Sequence, residues 1–292
     1  MPFTPSHVAA VLPFGRLRVL PFAALAAGSM SPDVPYFLPG LRFVGGWTHT
    51  LAGIVTVDVL LGLGLWVLWR SAAASLHDLA PEGVRERWTP PDWAVDAWWA
   101  LPVSVALGAA THVGWDEFTH AGRYASTHLA FLATTYPSPL GPLAGYRYAQ
   151  YASGVIGLVV LVIAGLGRAR TRQPHRPSPG LARGLPWLCV LAGAGGAGVR
   201  VLADGGFGIA WDALAFAAIT GGLAAAAAML LLACWGTQPP GTVSRIHMSI
   251  GDGCRSVPNA RNQVRIHDTV PTAARGLMGG CGRWCSGSAG RA

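Results

Sequence analysis

The sequence predicts an all-α, polytopic membrane protein, with about five transmembrane helices and a short N-terminal helical hairpin. Of its 292 residues, 52% are hydrophobic and only 12% are charged, and the mean hydropathy is +0.41. Soluble domains carry about 25% charged residues, so this composition indicates an integral membrane protein. The second observation is a series of apolar runs, several of which approach the roughly 20 residues that cross a bilayer.

The N-terminal region contains two apolar segments, 6–14 and 19–30, that are each too short to cross a bilayer. They predict a helical hairpin, with Pro21 in the first turn of its second helix. A hairpin returns the chain to its starting side. We therefore expect His7 to lie near the turn at residues 31–33.

Five longer apolar runs follow, and each is predicted to span the membrane. Arg70 is expected to end the first of them, and residues 71–96 and 121–150 are expected to be connecting loops. Asp58 lies within the first span, where a carboxylate is costly, so it is expected to face protein. The predicted spans are 51–69, 97–113, 151–166, 185–202 and 209–235.

The arginines predict the orientation. Residues 168–183 contain five Arg and no acidic residue, which is typical of a cytoplasmic loop. The first span then begins, and the second ends, on the extracytoplasmic side of the inner (plasma) membrane. His49 and the segment 112–120 share that side. Residues 237–292, rich in Arg and Gly, are expected to be a disordered tail behind an integral membrane domain at 1–236.

Composition also bears on partners. The net charge of +8 is no sign of nucleic-acid binding, because the arginines lie in short loops and in the tail, where membrane proteins keep cytoplasmic charge. The expected partner is the lipid bilayer, with no nucleic acid. The five cysteines have no zinc-finger spacing and define no disulfide framework.

The most informative motif is at the end of the second predicted span, where His112, Asp116 and His120 follow at four-residue steps. Imidazole and carboxylate are the usual ligands of divalent transition metals. Residues four apart share a helix face, so His112 and Asp116 could bind one ion. His120 lies about 12 Å from His112 along an unbroken helix. It can join only if the helix ends near Phe118, and otherwise it supports the ligands.

Three earlier residues complete the candidate set: His7, Asp33 and His49. Each has a simpler interpretation as well. His7 could be a solvated residue at a helix start, Asp33 a turn acid, and His49 an interfacial side chain beside Trp47. The run at 112–120 could likewise be a hydrogen-bonded polar helix end. As a metal centre, the set could hold one ion, or two ions bridged by a carboxylate about 3.5–4 Å apart.

Other polar residues are weaker candidates. Glu117 points about 100° away from Asp116 on a helix, which argues against a role as general base. His77 and His128 are interpreted as loop histidines. Arg200 and Asp204 are expected to form an ion pair. Irregular spacing argues against metal binding by the remaining His and Cys of the tail, which are His247, Cys254, His267, Cys281 and Cys285.

A family resemblance follows from four motifs: the opening heptapeptide MPFTPSH, the turn GSMSPD, Thr48-His49 and the His/Asp run at 112–120. Over about residues 1–235 the chain resembles a bacterial membrane family, domain of unknown function 4184. The order of motifs is also similar to that of inner-membrane metal-dependent hydrolases. The resemblance implies that five of the candidates act together: His7, Asp33, His49, His112 and Asp116.

The chain departs from the hydrolase pattern at its turn, which lacks the second Asp and the His of a Pro-Asp-x-Asp-His. One metal position would then be missing or filled by His120. We therefore expect a membrane-bound metal-dependent hydrolase, with zinc as the first choice of metal and a lipid ester or phosphoester as substrate. The alternatives are a structural metal site and a transporter. A catalytic metal keeps an open coordination position, and a structural one is enclosed.

Overall fold

The computed structural model describes residues 4–17, 19–90, 98–139, 141–168, 170, 180–208 and 210–238. This part of the chain is almost entirely helical, which confirms the predicted all-α class. Four of its helices are long and apolar enough to cross a membrane, and they confirm a polytopic membrane protein. These helices are Val57–Leu79, Gly145–Leu166, Ala182–Ala203 and Trp211–Gly236. The predicted tail lies outside the described residues from position 239 onward.

Six longer helices form the framework. They are α1 (Phe22–Met30), α2 (Val57–Leu79), α3 (Ala100–Thr119), α4 (Gly145–Leu166), α5 (Gly180–Ala203) and α6 (Trp211–Gly236). Short helical segments connect them, at Thr4–His7, Val8–Val11, Leu12–Arg16, Ser31–Asp33, Val34–Phe37, Arg42–Val44, Gly45–Thr48, Leu51–Val55, Glu82–Arg85, Tyr124–His128, Ala130–Ala133 and Gly206–Gly208. Strand β1 (Thr135–Tyr136) pairs antiparallel with β2 (Leu143–Ala144).

The predicted N-terminal hairpin is present. Its first arm is a run of short helical turns, of which Val8–Val11 packs against α1. Pro21 lies at the N-cap of α1, where its missing N–H costs no helical hydrogen bond. The hairpin carries His7 back to the level of the turn that follows α1.

The first predicted span differs from the structure at both ends. Its start is a separate helix, Leu51–Val55, because Thr56 leaves the helical region and its hydroxyl bonds to the carbonyl of Ala52 at 2.6 Å. Its end was predicted wrongly, since α2 passes through Arg70 and the segment 71–79 is helical rather than a loop. The Arg70 guanidinium lies 5.5 Å from the Trp66 ring, so the charged side chain is accommodated along the helix. The predicted connector 121–150 likewise contains short helices and the β1–β2 pair.

Helix α3 corresponds to the second predicted span but extends beyond its predicted end, to Thr119. It is not among the four helices apolar enough to cross a membrane. Its polar residues Ser104, His112 and Asp116 are buried, and it packs against α1 and α2. Polar side chains that face protein lower the hydropathy of the helix without exposing charge to lipid.

Glycines allow α1 and α3 to touch. A Cβ at Gly28 would lie 2.1 Å from the carbonyl oxygen of Val105, and one at Gly108 would lie 2.2 Å from that of Leu25. Side chains cannot be accommodated at such an approach, so the two backbones are in direct contact. A core cluster of Ala24, Ala27, Trp66 and Val105 continues this contact to α2.

Helices α5 and α6 form a second close pair. A Cβ at Gly196 would lie 2.4 Å from the Cβ of Ala225, and one at Gly221 would lie 2.6 Å from the carbonyl oxygen of Gly196. The pair reaches α2 through a cluster that includes Ala72 and Cys234. Helices α5 and α6 therefore lie beside α2, and neither carries one of the candidate His or Asp ligands.

Candidate metal centre

The structure brings all six candidate ligands into one cluster: His7, Asp33, His49, His112, Asp116 and His120. Asp33, His112 and Asp116 are fully buried, and His49 is nearly so. The side chains of His7 and His120 keep 10% and 16% of their exposure. The predicted convergence of distant residues is therefore seen in the fold, although metal binding and the side of the membrane remain predictions.

Four atoms face one another at the centre of the cluster. Nε2 of His49 lies 3.6 Å from Oδ1 of Asp33 and 3.3 Å from Oδ2 of Asp116. Nε2 of His112 lies 3.6 Å and 3.4 Å from the same two oxygens. All four atoms are buried, and none has a hydrogen-bond partner among the described residues. Buried polar atoms without hydrogen-bond partners are rare, and four that face one another form an arrangement that could hold a cation.

We call His49 and His112 the inner histidines, and Asp33 and Asp116 the inner carboxylates. The other nitrogen of each inner histidine is held by a backbone carbonyl. Nδ1 of His49 lies 2.8 Å from the oxygen of Gly45, and Nδ1 of His112 lies 2.7 Å from the oxygen of Ser29. An Nδ1–H that donates to a carbonyl turns Nε2 towards the centre. This is the usual support of a metal-binding histidine.

The inner carboxylates are supported in the same way. Thr4 Oγ1 donates to Oδ2 of Asp33 at 2.6 Å. Oδ1 of Asp116 lies 3.0 Å from Nδ1 of His120. Each inner residue therefore has one atom that faces the centre and another that is held by a neighbour. Thr4 was not predicted, although it belongs to the opening heptapeptide that carried the family resemblance.

Local structure explains how Asp33 and His49 meet. Asp33 ends the Ser31–Asp33 turn that follows α1, and the hydroxyl of Thr48 donates to the carbonyl of Pro32 at 2.7 Å. This bond joins the two turns that carry the ligands. Beyond them, Thr50 caps the next helix, since its hydroxyl accepts from the N–H of Gly53.

His7 and His120 lie on the other side of Asp116. The His7 ring stacks on His112, with 3.9 Å between the ring centroids, and its Nε2 lies 3.8 Å from Oδ1 of Asp116. Helix α3 ends at Thr119, which satisfies the condition set for His120, and His120 itself is extended. Its Nε2 lies 2.7 Å from Nε2 of Gln150 on α4, a residue that sequence reasoning missed because nothing near position 150 suggests a site.

The charges of the cluster are strongly coupled. Burial raises the pKa of Asp33, but His112 and His49 outweigh it and hold that pKa well below its ordinary value. Burial lowers the pKa of His49, but the carboxylates of Asp116 and Asp33 outweigh it and raise that pKa to about 9. Burial, assisted by His112, lowers the pKa of His7 to about 4. Near neutral pH His49 is therefore protonated and His7 is neutral.

The weaker candidates lie outside the cluster. Glu117 accepts from the N–H of Tyr124 at 2.9 Å, in keeping with its exclusion as a general base. His77 and His128 are helical rather than loop residues, and neither joins the site. The predicted pair of Arg200 and Asp204 is confirmed at 3.1 Å. Asp58 faces protein, as predicted, and is fully buried. The five His and Cys of the tail lie outside the described residues.

Fold and site together define a polytopic α-helical membrane protein with a buried cluster of histidines and aspartates where α1, α3 and the turns beside them meet. The chain belongs to the family described as Domain of unknown function (DUF4184), whose model matches residues 1–235. The resemblance to this family is thereby confirmed, and the similarity to metal-dependent hydrolases stays a prediction. No curated protein and no solved structure shows significant similarity to the chain.

Proposed function

We propose that the protein is a membrane-bound metalloenzyme, a metal-dependent hydrolase whose centre binds a divalent cation. The ligand atoms are Oδ1 of Asp33, Nε2 of His49, Nε2 of His112 and Oδ2 of Asp116. The observation that carries the proposal is that these four buried atoms face one another and have no hydrogen-bond partner among the described residues.

The distances suit a small cation. Zinc lies about 2.0–2.2 Å from nitrogen and oxygen ligands, so two atoms that bind the same ion lie at most about 4.4 Å apart. The four measured nitrogen–oxygen separations in the cluster run from 3.3 to 3.6 Å. Two imidazoles with two carboxylates suit zinc, and also manganese or iron. We therefore propose zinc first.

The charge balance supports a divalent ion. Asp33 and Asp116 bring two negative charges into a buried site, and isolated buried charges are very costly. Without metal, protons on the inner histidines compensate these charges. A divalent cation compensates both negative charges while both imidazoles stay neutral. It also gives each of the four atoms without a hydrogen-bond partner an ion to bind.

The surroundings of the cluster favour a substrate at the membrane surface. Trp47, Trp115 and Phe118 are large, substantially exposed side chains close in sequence to His49 and Asp116. Exposed Trp beside a membrane-protein site is typical of the headgroup region. A bound divalent metal polarises an ester or phosphoryl oxygen and provides hydroxide as a nucleophile near neutral pH. We propose a lipid ester or phosphoester as the substrate, on the extracytoplasmic face of the inner membrane.

The test is hydrolysis by the purified protein in detergent micelles that contain lipid esters and phosphoesters. We expect turnover by the metal-loaded protein, loss of turnover after chelation, recovery when zinc or manganese is restored, and none in His112→Ala. Turnover that is unaffected by chelation would contradict the proposal.

A second candidate is a structural metal, which one observation favours: the inner position is enclosed by four protein atoms, and Asp33, His112 and Asp116 are fully buried. In that case the ion would fasten the N-terminal hairpin to α3. Chelation would then lower the thermal stability of the protein, and no lipid ester or phosphoester would be hydrolysed in any metal state.

Removing the support of a ligand should weaken metal binding without abolishing it. Thr4→Ala deletes the hydroxyl that donates to Oδ2 of Asp33, and partners of this kind contribute about 10–100-fold in metal affinity. We expect a loss in that range from titration with a competing chelator. Thr127→Ala is the matched control, because the Thr127 hydroxyl bonds only within its own short helix and outside the cluster. Equal affinities for Thr4→Ala and the parent would contradict the predicted support.

Metal binding should release protons. Because the pKa of His49 is raised from 6.5 to about 9 in the metal-free protein, its imidazole is charged at pH 7 and must lose a proton to bind an ion. The charged form stabilises the metal-free fold fully below pH 6.5, and that contribution is lost as the pH rises through about 9. The gain in melting temperature on metal addition should therefore increase between pH 6.5 and 9, and calorimetry in buffers of different ionisation enthalpy should detect the released proton. A gain that shrinks with rising pH would contradict this.

A further inference from the structure

Asp116 presents its two oxygens to two different sets of imidazoles. Oδ2 faces the centre, 3.3 Å from Nε2 of His49 and 3.4 Å from Nε2 of His112. Oδ1 faces away from it, 3.0 Å from Nδ1 of His120 and 3.8 Å from Nε2 of His7. The inner site uses only the first oxygen as a ligand, so Oδ1 of Asp116, His7 and His120 bind no ion there.

The rings of His7 and His112 stack beside Asp116. Their centroids are 3.9 Å apart and their planes are inclined by only 22°. One nitrogen of each ring and one oxygen of Asp116 all lie within 4.8 Å of one another. A carboxylate that turns one oxygen towards each of two ions can bridge them at about 3.5–4 Å, and the two oxygens of Asp116 face different imidazoles in this way.

Helix α4 holds in place the two histidines that face Oδ1 of Asp116, which are His7 and His120. A Cβ at Gly157 would lie 2.8 Å from the Cβ of Ser6, so α4 touches the turn that ends in His7. Gln150, two turns earlier on the same helix, contacts Nε2 of His120. The oxygen and nitrogen of a glutamine amide are interchangeable by a flip. Gln150 can therefore accept from Nε2–H of His120, and Nδ1 of His120 then carries a lone pair towards Oδ1 of Asp116 and the hydroxyl of Thr119, each 3.0 Å away.

We propose that the centre is binuclear, with a second divalent cation bound by His7 Nε2, His120 Nδ1 and Asp116 Oδ1, and with Asp116 as the bridge. This inference rests on the proposed inner site and extends it. The inner position has four protein ligands and is enclosed. The second has three, and the side chains of His7 and His120 are 10% and 16% exposed. Three ligands with an accessible side are typical of a catalytic metal, so the second position is the one that receives substrate.

The experiment loads the full chain, in detergent, with Mn²⁺ and measures both stoichiometry and the electron paramagnetic resonance spectrum. We expect two equivalents of Mn²⁺ and the broadened spectrum of an exchange-coupled pair. His7→Phe keeps an aromatic ring against His112 but removes the ligand nitrogen. It should bind one equivalent and give the simple spectrum of an isolated ion. His128→Phe is the control, since His128 also stacks on an aromatic ring, that of Tyr124, but lies outside the cluster.

The outcomes separate the two proposals. One equivalent in the parent, unchanged in His7→Phe, would overturn the binuclear centre and leave the inner site intact. Two equivalents without exchange coupling would overturn the bridge by Asp116. No bound Mn²⁺, zinc or iron in the parent would overturn the inner site and the second site together. If His7→Phe fails to fold, His120→Asn tests the same position, and the measurements on the parent need no variant.

Discussion

His112→Ala and Asp116→Ala should each purify with less bound metal than the parent protein. Either change removes one of the four atoms that enclose the inner position. Loss of an atom that would bind the ion directly should lower the affinity by more than the 10–100-fold that follows loss of an outer partner. Elemental analysis after gel filtration in detergent measures this directly. Equal metal content in all three proteins would remove the proposed centre.

Folding must be separated from binding in this test. Removing one partner of a buried charged pair costs about 3–5 kcal/mol, and Asp116→Ala leaves His49 and His112 beside a single carboxylate. Asp116→Asn keeps the shape of the side chain and its hydrogen-bonding capacity while it removes the charge. We expect Asp116→Asn to retain its helical circular dichroism and still to lose metal. His77→Ala is the control for a histidine outside the cluster.

Much of the fold follows from local chemistry. Apolar runs of bilayer length predicted four of the spanning helices because lipid requires a continuous apolar surface. The arginine-rich loop predicted an orientation of the spans that puts His49 and His112 on one side. The four-residue step from His112 to Asp116 was sufficient to predict a shared helix face. The structure agrees with the helices and with the proximity of these residues, and the orientation in the membrane stays a prediction.

The features of the fold and of the site that could not be predicted from the sequence depend on contacts between distant segments. An arginine at position 70 resembles the end of a span, yet α2 continues to Leu79, and the Arg70 side chain lies against Trp66. Helix α3 resembles a membrane span of low hydropathy. Its polar residues avoid contact with lipid because α3 packs against α1, and this contact could not be predicted from the sequence. The support from Thr4 and Gln150 was also invisible, since neither spacing nor composition places a threonine or a glutamine beside a distant ligand.

The contact between α1 and α3 sets the position of the inner site. The carbonyl of Ser29 on α1 accepts from His112 on α3, so the two helices must keep their separation for Nε2 of His112 to face the centre. Gly28, next to Ser29, and Gly108, four residues before His112, allow that separation. The geometry of the proposed metal centre therefore depends on two positions that carry no side chain.

Gly108→Ala should disrupt both the packing and the site. Its new Cβ would lie 2.2 Å from the carbonyl oxygen of Leu25, and because that oxygen is backbone, α1 itself must move. Overpacking costs about 1–3 kcal/mol, and we expect the upper part of that range together with weaker metal binding. Gly114→Ala, on the same helix, is the matched control, since nothing lies within 4 Å of its added Cβ. It should be neutral or more stable by about 0.5–1 kcal/mol.

Thermal unfolding in detergent, with and without metal, distinguishes the two glycine variants. If the α1–α3 contact positions His112, Gly108→Ala should lower the melting temperature and also reduce the stabilisation gained from metal, whereas Gly114→Ala should leave that gain unchanged. A Gly108→Ala protein that melts lower but keeps the full gain from metal would show that the helices can separate without displacing the ligand. In that case the carbonyl of Ser29 would follow His112, and the site would be held mainly by the turns that carry Asp33 and His49.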